Sequence, residues 1–104
     1  MVDTQLEALA VETRRAIYTM LLERPRSVTE LASRLPVSRP AVSQHLKVLV
    51  EADLARVAAE GTRRVYSANP DGMALLRGWV DEMWNLAMRN FADFAREQME
   101  ERDE

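Results

Sequence analysis

Residues 27–52 decide the fold, and they read SVTELASRLPVSRPAVSQHLKVLVEA. Ser27 followed three residues later by Glu30 is typical of a capping box, in which each side chain can satisfy a free backbone N–H of the first helical turn. Pro36 ends this first helix, because the residue before a proline is pushed out of helical geometry and proline has no N–H to donate. The apolar face of the helix, at spacing i, i+3, i+4 and i+7, consists of Val28, Leu31, Ala32 and Leu35.

A second helix is predicted to begin at Ser38 or Arg39. Ser38 is a good N-cap, and Pro40 is tolerated in a first turn although it disfavours helical geometry at Arg39. The inward stripe of this helix consists of Val42, Leu46 and Leu49, flanked by His45 and Val50. Its outward face carries Pro40, Ser43, Gln44, Lys47 and Glu51.

Two helices joined by a short turn, the second with a polar outward face, have the geometry of a helix-turn-helix. The outward side chains match DNA chemistry, because Gln can bond bidentately to adenine, Lys and Arg can reach guanine or phosphate, and Ser can bond to either. The N-terminus of the second helix adds a partial positive charge toward phosphate. The alternative at this point is an ordinary helical hairpin with a solvated polar face.

Length and composition narrow the class of protein. A chain of 104 residues has room for one domain with a small core, which is often completed by oligomerisation. The absence of cysteine excludes disulfides, thiolate metal sites and cysteine nucleophiles. There is no run of 18 apolar residues, and the N-terminal MVDTQLEALA carries acids where a signal peptide has a basic region. The sequence therefore predicts a cytoplasmic protein without a membrane partner.

The charge is unevenly distributed along the chain. The net charge is −3, but the segment from Arg24 to Tyr66 holds eight basic residues against four acidic ones, a net of +4. The two flanks together hold six basic and thirteen acidic residues, a net of −7. This asymmetry indicates a basic central surface for nucleic acid, with acidic flanks that repel it elsewhere.

Two helices are predicted before the central segment. The first runs from Asp3 to Ala10, with Asp3 or Thr4 as its cap, and it is too short to be stable unless it docks. The second runs from Thr13 to Leu22. The apolar sides are Leu6, Leu9 and Ala10 in the first helix and Ile17, Met20 and Leu21 in the second, while Arg14 and Arg15 are expected to be solvated or to face phosphate.

A β-hairpin is predicted after the central helices. Asp53 can adopt the left-handed conformation that ends a helix, and LARVAA and RRVYSA then flank the turn EGT at residues 60–62. Arg56, Arg63 and Arg64 lie on or near this hairpin, as expected for a basic ribbon laid along phosphates or into a minor groove. The alternative is a solvated hairpin whose arginines are incidental.

The last predicted element is a long helix, capped by Asn69, opened by Pro70 and running from Asp71 to about Met99. Such a helix spans on the order of 40 Å, longer than the core of this chain can cover. Part of its stripe therefore needs a second chain, although a cofactor or lipid site is an alternative. The acidic tail EQMEERDE is expected to fray. One arc of the helix collects Leu76, Trp79, Val80, Met83, Trp84, Ala87, Phe91 and Phe94.

Over nearly its whole length, the chain resembles the ArsR family of bacterial winged-helix repressors. The likeness lies in LEALAVETRRAIYTML at 6–21, SVTELASRLPVSRPAVSQHLKVLVEADL at 27–54 and EGTRRVYSANP at 60–70. The resemblance implies a mainly α fold with a small β-hairpin wing, a recognition helix in the major groove, and a dimer made by the first and last helices. The single domain 1–104 then comprises N-terminal helices at 1–22, the helix-turn-helix at 27–52, the wing at 54–68 and the dimerisation helix at 70–99.

Three departures from the family pattern matter. Val11-Glu12 stands where the family usually has Asp-Pro, so a less sharp break between the first two helices is expected. Asp53 replaces the usual Gly at the helix stop. The Cys-rich metal motif is missing from residues 30–35, and the last helix has no His to pair with Asp81 or Glu82. We therefore expect no metal and no cofactor, as in the non-metal subgroup, whose effector is unknown or absent.

An enzyme is not expected, and no catalytic residues are predicted. His45 is the one histidine of the chain and flanks the buried stripe, while Ser43 sits on a different face, which argues against a Ser-His dyad. Glycines occur only at positions 61, 72 and 78, so there is no phosphate-cradling loop. The main rival is a winged-helix protein-interaction module that does not bind DNA.

The sequence thus predicts a sequence-specific regulator that binds double-stranded DNA as a homodimeric repressor on a pseudo-palindromic operator. The predicted DNA-binding residues are Ser38, Arg39, Ser43, Gln44, Lys47, Arg56, Arg63 and Arg64. The predicted dimer interface consists of Leu6, Leu9, Leu76, Trp79, Val80, Met83, Trp84, Ala87, Phe91 and Phe94.

Overall fold

The computed structural model describes residues 2–103, so Met1 and Glu104, the two ends of the predicted domain, lie outside the described residues. Five helices and three strands occur in the described range: α1 (Val2–Ala10), α2 (Glu12–Glu23), β1 (Arg26–Ser27), α3 (Val28–Arg34), α4 (Arg39–Glu51), β2 (Ala55–Glu60), β3 (Arg63–Ala68) and α5 (Pro70–Asp103). The strands form one antiparallel sheet in the order β1-β3-β2. The predicted class, a mainly α winged helix-turn-helix with a small β-hairpin, is confirmed.

The start of each central helix is set by a serine. The Ser27 hydroxyl accepts a hydrogen bond from the Glu30 N–H at 3.2 Å, and the Ser38 hydroxyl accepts one from the Ala41 N–H at 3.3 Å. Both predicted N-caps are therefore confirmed, with α4 beginning at Arg39. The capping box is only half formed, because the Glu30 carboxylate pairs with Arg24 and Arg26.

The core lies where α4 packs between α2, α3 and the base of the hairpin. The predicted inward stripe of α4 is 0% exposed along its whole length. In α2, Tyr18 is buried together with the predicted Ile17 and Leu21, whereas Met20 is half-buried. The largest fully buried side chains are those of Ile17, Leu31, Val42, Leu46, Leu49 and Leu54.

A Schellman motif ends α4. Asp53 has a φ of 56°, its N–H donates to the Val50 carbonyl at 3.0 Å, and the Leu54 N–H donates to the Leu49 carbonyl at 2.9 Å. The left-handed conformation predicted for Asp53 is confirmed. The motif turns the chain sharply from α4 into the hairpin.

The hairpin turns at Gly61, whose φ is 62°, and pairs Glu60 with Arg63. The sheet also contains β1, which the sequence analysis missed, because a two-residue strand carries no local pattern. β1 pairs Arg26 with Tyr66 and Ser27 with Val65.

Arg26 was counted among the basic residues of the central segment, but it does not lie at the surface. Its side chain is 3% exposed, and its hydrogen bonds all go to groups of this chain. Nε donates to the Met20 carbonyl at 3.0 Å, Nη1 to Glu30 at 2.9 Å and Nη2 to Glu23 at 2.8 Å. A buried arginine needs such partners, since an unpaired buried charge is strongly unfavourable. Arg26 therefore holds α2, β1 and α3 together and adds no free positive charge to the surface.

The break between α1 and α2 differs from the prediction. Val11 alone separates the helices, in an extended conformation, so the break is sharp without the family's Asp-Pro. Arg15 is exposed, as expected, whereas Arg14 is half-buried, and both guanidinium groups cap the end of α1. Arg14 Nε donates to the Ala8 carbonyl at 2.7 Å, and Arg15 Nη1 donates to the Leu9 carbonyl at 2.8 Å.

The two terminal helices also depart from expectation. Gln5 and Ala8 are the buried residues of α1, and the predicted Leu9 is half-buried against the core, whereas the predicted Leu6 and Ala10 are exposed. The Asn69 side chain caps α5 by accepting from the Asp71 N–H at 3.0 Å, as predicted. The helix then continues past Met99 to Asp103, so the tail that was expected to fray is helical up to that residue. The last residue of the tail, Glu104, lies outside the described residues.

Because α5 extends beyond the core, residues 2–103 measure 74 Å along the longest axis but only 25 and 21 Å along the others. Within that range, no helix is both long enough and apolar enough to cross a membrane.

Candidate nucleic-acid interface

The outward face of α4 is presented as the sequence predicts. Since the opposite stripe is locked in the core, Ser43, Gln44 and Lys47 project from the exposed side of the helix. Ser38 is exposed just before the helix, with its hydroxyl engaged in the N-cap. The side chains that could read a partner are thus fixed in direction by the packing behind them.

Two grooves border this face. The first, of about 760 Å³, lies between the start of α3, the start of α4 and the tip of the hairpin. Arg39, Ser43, Arg63 and Arg64 line it, and its remaining wall includes Thr29, Ser33 and Thr62. Three arginines therefore converge on one open cleft beside the N-terminus of α4.

The second groove, of about 480 Å³, runs between the middle of α4 and the inner face of the hairpin. Gln44 and Lys47 line its α4 side, and Arg64 and Val57 line its hairpin side. Ser43 and Arg64 belong to both grooves. Arg64 is consequently the hairpin residue that is most closely associated with the polar face of α4.

Arg56 is not brought to these grooves. Directly opposed residues of an antiparallel pair point to the same face, and successive residues alternate. Arg64 is opposite Ala59 and so shares a face with Val57, whereas Arg56 is opposite Ser67 on the other face. The Arg56 guanidinium lies 3.8 Å from the Asp71 carboxylate at the start of α5.

Sequence reasoning missed the hydroxyl groups of the first groove. Thr29 and Ser33 are exposed one helical turn apart on α3, and Thr62 is exposed at the hairpin tip. Because the first helix of a helix-turn-helix crosses the DNA backbone, the sequence could have indicated the exposed hydroxyl groups of α3 as candidate phosphate contacts. Thr62 becomes adjacent to them only through the pairing of β1 with β3.

Glu30 is the acid that lines the first groove. A hydrogen bond from Arg24 holds the pKa of this carboxyl below its usual value. Desolvation raises the pKa, but the hydrogen bonds from Arg24 and Arg26 together outweigh it. Glu30 is therefore ionised at neutral pH, but its charge is matched by two arginines. It repels a phosphate less than an unpaired carboxylate would.

Among residues 2–103, no group of three or more His, Cys, Asp or Glu side chains is arranged to hold a metal ion. His45 is half-buried on the flank of α4.

The predicted dimer residues fall into two groups. Leu76 is 9% exposed and belongs to this chain's own core, while Leu9 is half-buried against it. The remaining ones lie on an uncovered surface of α5 and α1, formed by Leu6, Trp79, Val80, Met83, Trp84, Ala87, Phe91 and Phe94, and we call this surface the apolar stripe. Leu86 and Met88, also exposed, lie at its edges and were not predicted.

Comparison with known proteins agrees with this geometry. A family model described as a helix-turn-helix domain matches residues 9–58. HTH-type transcriptional regulator Rv2034 of Mycobacterium tuberculosis is 52% identical over 90 residues, which are 86% of this chain and 84% of that protein. An ArsR-like transcriptional regulator from Rhodococcus sp. RHA1 superposes with a TM-score of 0.78 at 29% identity, covering 89% of this chain and 88% of the other. The chain belongs to the ArsR family.

A further member of the comparison is a crystal structure described as "Possible transcriptional regulator for arsenical resistance". It is 42% identical, with a TM-score of 0.71, and the match covers 77% of this chain and 83% of that one. As an ArsR-family protein, the present chain is a helix-turn-helix transcriptional regulator, and its winged helix-turn-helix includes α3, α4 and the hairpin of β2 and β3.

Proposed function

We propose that this ArsR-family protein is a homodimeric repressor that binds a pseudo-palindromic operator in double-stranded DNA. The observation that supports this most strongly is the grouping of Gln44, Lys47 and Arg64 around one groove between the recognition helix and the wing. Its amide, ammonium and guanidinium groups suit the edges of bases and the phosphates beside them, and its two basic groups outnumber the carboxylate of Glu51, which also lines it.

Each side chain has a distinct role in the proposal. Gln44 contacts a base, because its amide can bond bidentately to adenine in the major groove. Lys47, Ser43 and Arg39 contact bases or the nearest phosphates. Arg63 and Arg64 on the wing contact the backbone and supply affinity that does not depend on sequence. Arg56, which pairs with Asp71, makes a smaller contribution.

The dimer in this proposal forms through the apolar stripe. Large apolar patches exposed on a monomer mark interaction sites, and aromatic side chains are the usual anchors of a protein interface. An isologous pairing of two copies would present two recognition helices about 34–36 Å apart, one turn of DNA. Occupation of such an operator in the cytoplasm would exclude RNA polymerase and so repress transcription.

The test is selection of bound duplexes from a random pool, with and without added divalent metals. We expect a sequence with two inverted half-sites, enriched equally in both conditions. Affinity for that duplex should fall steeply with salt, with a log-log slope of about −0.9 per phosphate contact.

Gln44→Ala tests the reading of bases in the same assay. It should relax the base preference at one position of each half-site, at a cost of about 1–3 kcal/mol per half-site of the preferred duplex. Asn85→Ala, at an exposed position of α5 outside the stripe, is the matched control and should leave the selection unchanged. If no duplex is enriched and the protein instead associates with another protein in a salt-independent manner, the interaction-module alternative replaces this proposal.

A further inference from the structure

The C-terminal end of the recognition helix is held by a buried hydrogen bond from α1. Gln5 Nε2 donates to the Ala52 carbonyl at 2.7 Å, across 47 positions of sequence. Gln5 is 2% exposed, so this bond is shielded from water. Ala52 is the C-cap of α4, and its carbonyl is one of those that a helix leaves without an internal partner. The first helix of the chain is thus attached directly to the end of the recognition helix.

The same turn is held from the other side by α5. The Gly72 N–H donates to the Asp53 carbonyl at 2.9 Å, and the Asn69 N–H donates to the Leu54 carbonyl at 2.9 Å. A Cβ at position 72 would lie 2.6 Å from the Asp53 oxygen and 2.9 Å from the Ala52 oxygen. Only a glycine lets the α5 backbone approach this closely, so α1 and α5 bind two adjacent carbonyls of the same turn, those of Ala52 and Asp53.

The character of Gln5 argues for a role beyond packing. An apolar side chain of similar size could fill the buried position, but it would leave the Ala52 carbonyl without its donor. Gln5 therefore supplies a specific bond to the end of α4 in addition to filling space.

We propose that Gln5 and Gly72 are positioning residues that fix the angle of the recognition helix relative to α1 and α5. The inference rests on the proposed function, because α1 and α5 carry the apolar stripe and α4 carries the DNA-contacting face. About 12 Å of helix separates Ala52 from Gln44, so a tilt of about 5° at the C-terminal end displaces Gln44 by about 1 Å. A displacement of that size exceeds the range of about 0.5 Å over which N–H···O distances are favourable. DNA affinity therefore depends on two residues that do not contact DNA.

The experiment uses the full chain and the duplex selected above. Gln5→Met removes the donor while keeping an unbranched side chain, and Gly72→Ala introduces the Cβ that meets the Asp53 carbonyl. The matched controls are Asn85→Met, at an exposed position of α5 outside the apolar stripe, and Gly78→Ala, where a Cβ meets nothing within 4 Å. Binding is measured where circular dichroism shows each variant folded, and the dimer dissociation constant is measured by sedimentation equilibrium.

We expect Gln5→Met and Gly72→Ala to weaken duplex binding about five- to tenfold, the lower range of couplings between sites. The dimer dissociation constant should not change, and both controls should bind as the wild type does. A merely structural role predicts instead a lower melting temperature with unchanged affinity of the folded protein, and that result would overturn the inference.

A measurement on the wild type covers the case in which the variants do not fold. In ¹H–¹⁵N spectra, the side-chain amide signals of Gln5 should shift when the duplex is added, whereas those of Gln98 should not. Unshifted Gln5 signals in a duplex-bound protein overturn the inference and leave the proposed function intact. A wild type that binds no duplex removes the proposed function, and this inference with it.

Discussion

The two long amphipathic helices, α4 and α5, have the same kind of sequence pattern and opposite surroundings. The apolar face of α4 is completely buried by residues of its own chain, whereas Trp84 and Phe91, in the apolar stripe of α5, are 63% and 65% exposed. The difference is one of length. The 13 residues of α4 fit within the core, but the 34 residues of α5 do not. Hydrophobic periodicity therefore predicts that a face is to be covered, while helix length indicates whether the chain itself can cover it.

The largest expected effect is on the free energy of unfolding, which should depend on the buried face of α4 and not on the apolar stripe of α5. Leu46→Ala removes a fully buried side chain and should lower the free energy of unfolding by about 2–5 kcal/mol. Phe91→Ala should change it by less than about 0.5 kcal/mol at protein concentrations low enough to dissociate a dimer, as surface substitutions usually do. Urea unfolding monitored by circular dichroism measures both. Equal losses would mean that the α5 stripe packs on its own chain.

The second largest expected effect is on the dimer dissociation constant, because a second copy of the chain is proposed to cover the apolar stripe of α5. Trp84→Glu places a charge in the proposed interface and should raise the dimer dissociation constant at least about 30-fold, as expected for the loss of an interface anchor of about 2 kcal/mol. Asn85→Glu, exposed on the neighbouring side of the same helix, is the control and should leave that constant nearly unchanged. Sedimentation velocity over a concentration series measures both. An unchanged dimer in Trp84→Glu would exclude the stripe as the interface.

A smaller effect should separate the two faces of the wing. Arg64→Ala removes a guanidinium that lies beside the polar face of α4, and it should reduce the magnitude of the log-log salt slope of DNA binding by about 2, about 1 for each copy in the dimer. Arg56→Ala removes the same charge from the opposite face and should change the slope less. Fluorescence anisotropy with a labelled duplex between low and moderate salt measures the slopes. A larger loss in Arg56→Ala would reverse the assignment of the wing faces.

The smallest effect is a pH dependence at the junction that supports α3 and α4. Arg24 and then Arg26 lower the folded-state pKa of Glu30 from its ordinary value of 4.5. A lowered pKa stabilises the fold above the ordinary value, and this contribution is lost as pH falls through the folded-state pKa. Glu30→Gln should therefore make stability less sensitive to acid below about pH 4.5.

Thermal unfolding across that pH range measures this effect, with Glu97→Gln on exposed α5 as the control. An acid sensitivity that Glu30→Gln leaves unchanged would show that the arginine pairs do not stabilise the fold.

Features encoded within three or four residues could be predicted from the sequence. The caps at Ser27 and Ser38 and the left-handed turn at Asp53 belong to this class. The features that were missed depend on contacts between distant segments. β1 exists only because Arg26 and Ser27 meet β3 about forty residues later, and the burial of Gln5 follows from its bond to Ala52.

The candidate site shows the same division. The outward direction of Gln44 and Lys47 follows from the period of α4 alone, so the sequence predicted it. The grooves they share with Arg64 require the hairpin to fold back onto α4, which no local pattern specifies. The separation of Arg56 from Arg64 could have been predicted, because a turn at Gly61 that pairs residues 60 and 63 fixes the face of every residue in both strands.

The central claim is that two copies of this chain join through α5 and place two α4 helices on one duplex. Sedimentation equilibrium of the full chain with the selected duplex at low salt tests it most directly. We predict a complex of two chains per duplex and a free protein that is dimeric at the same concentration. A monomer that binds no duplex at low salt would contradict the account.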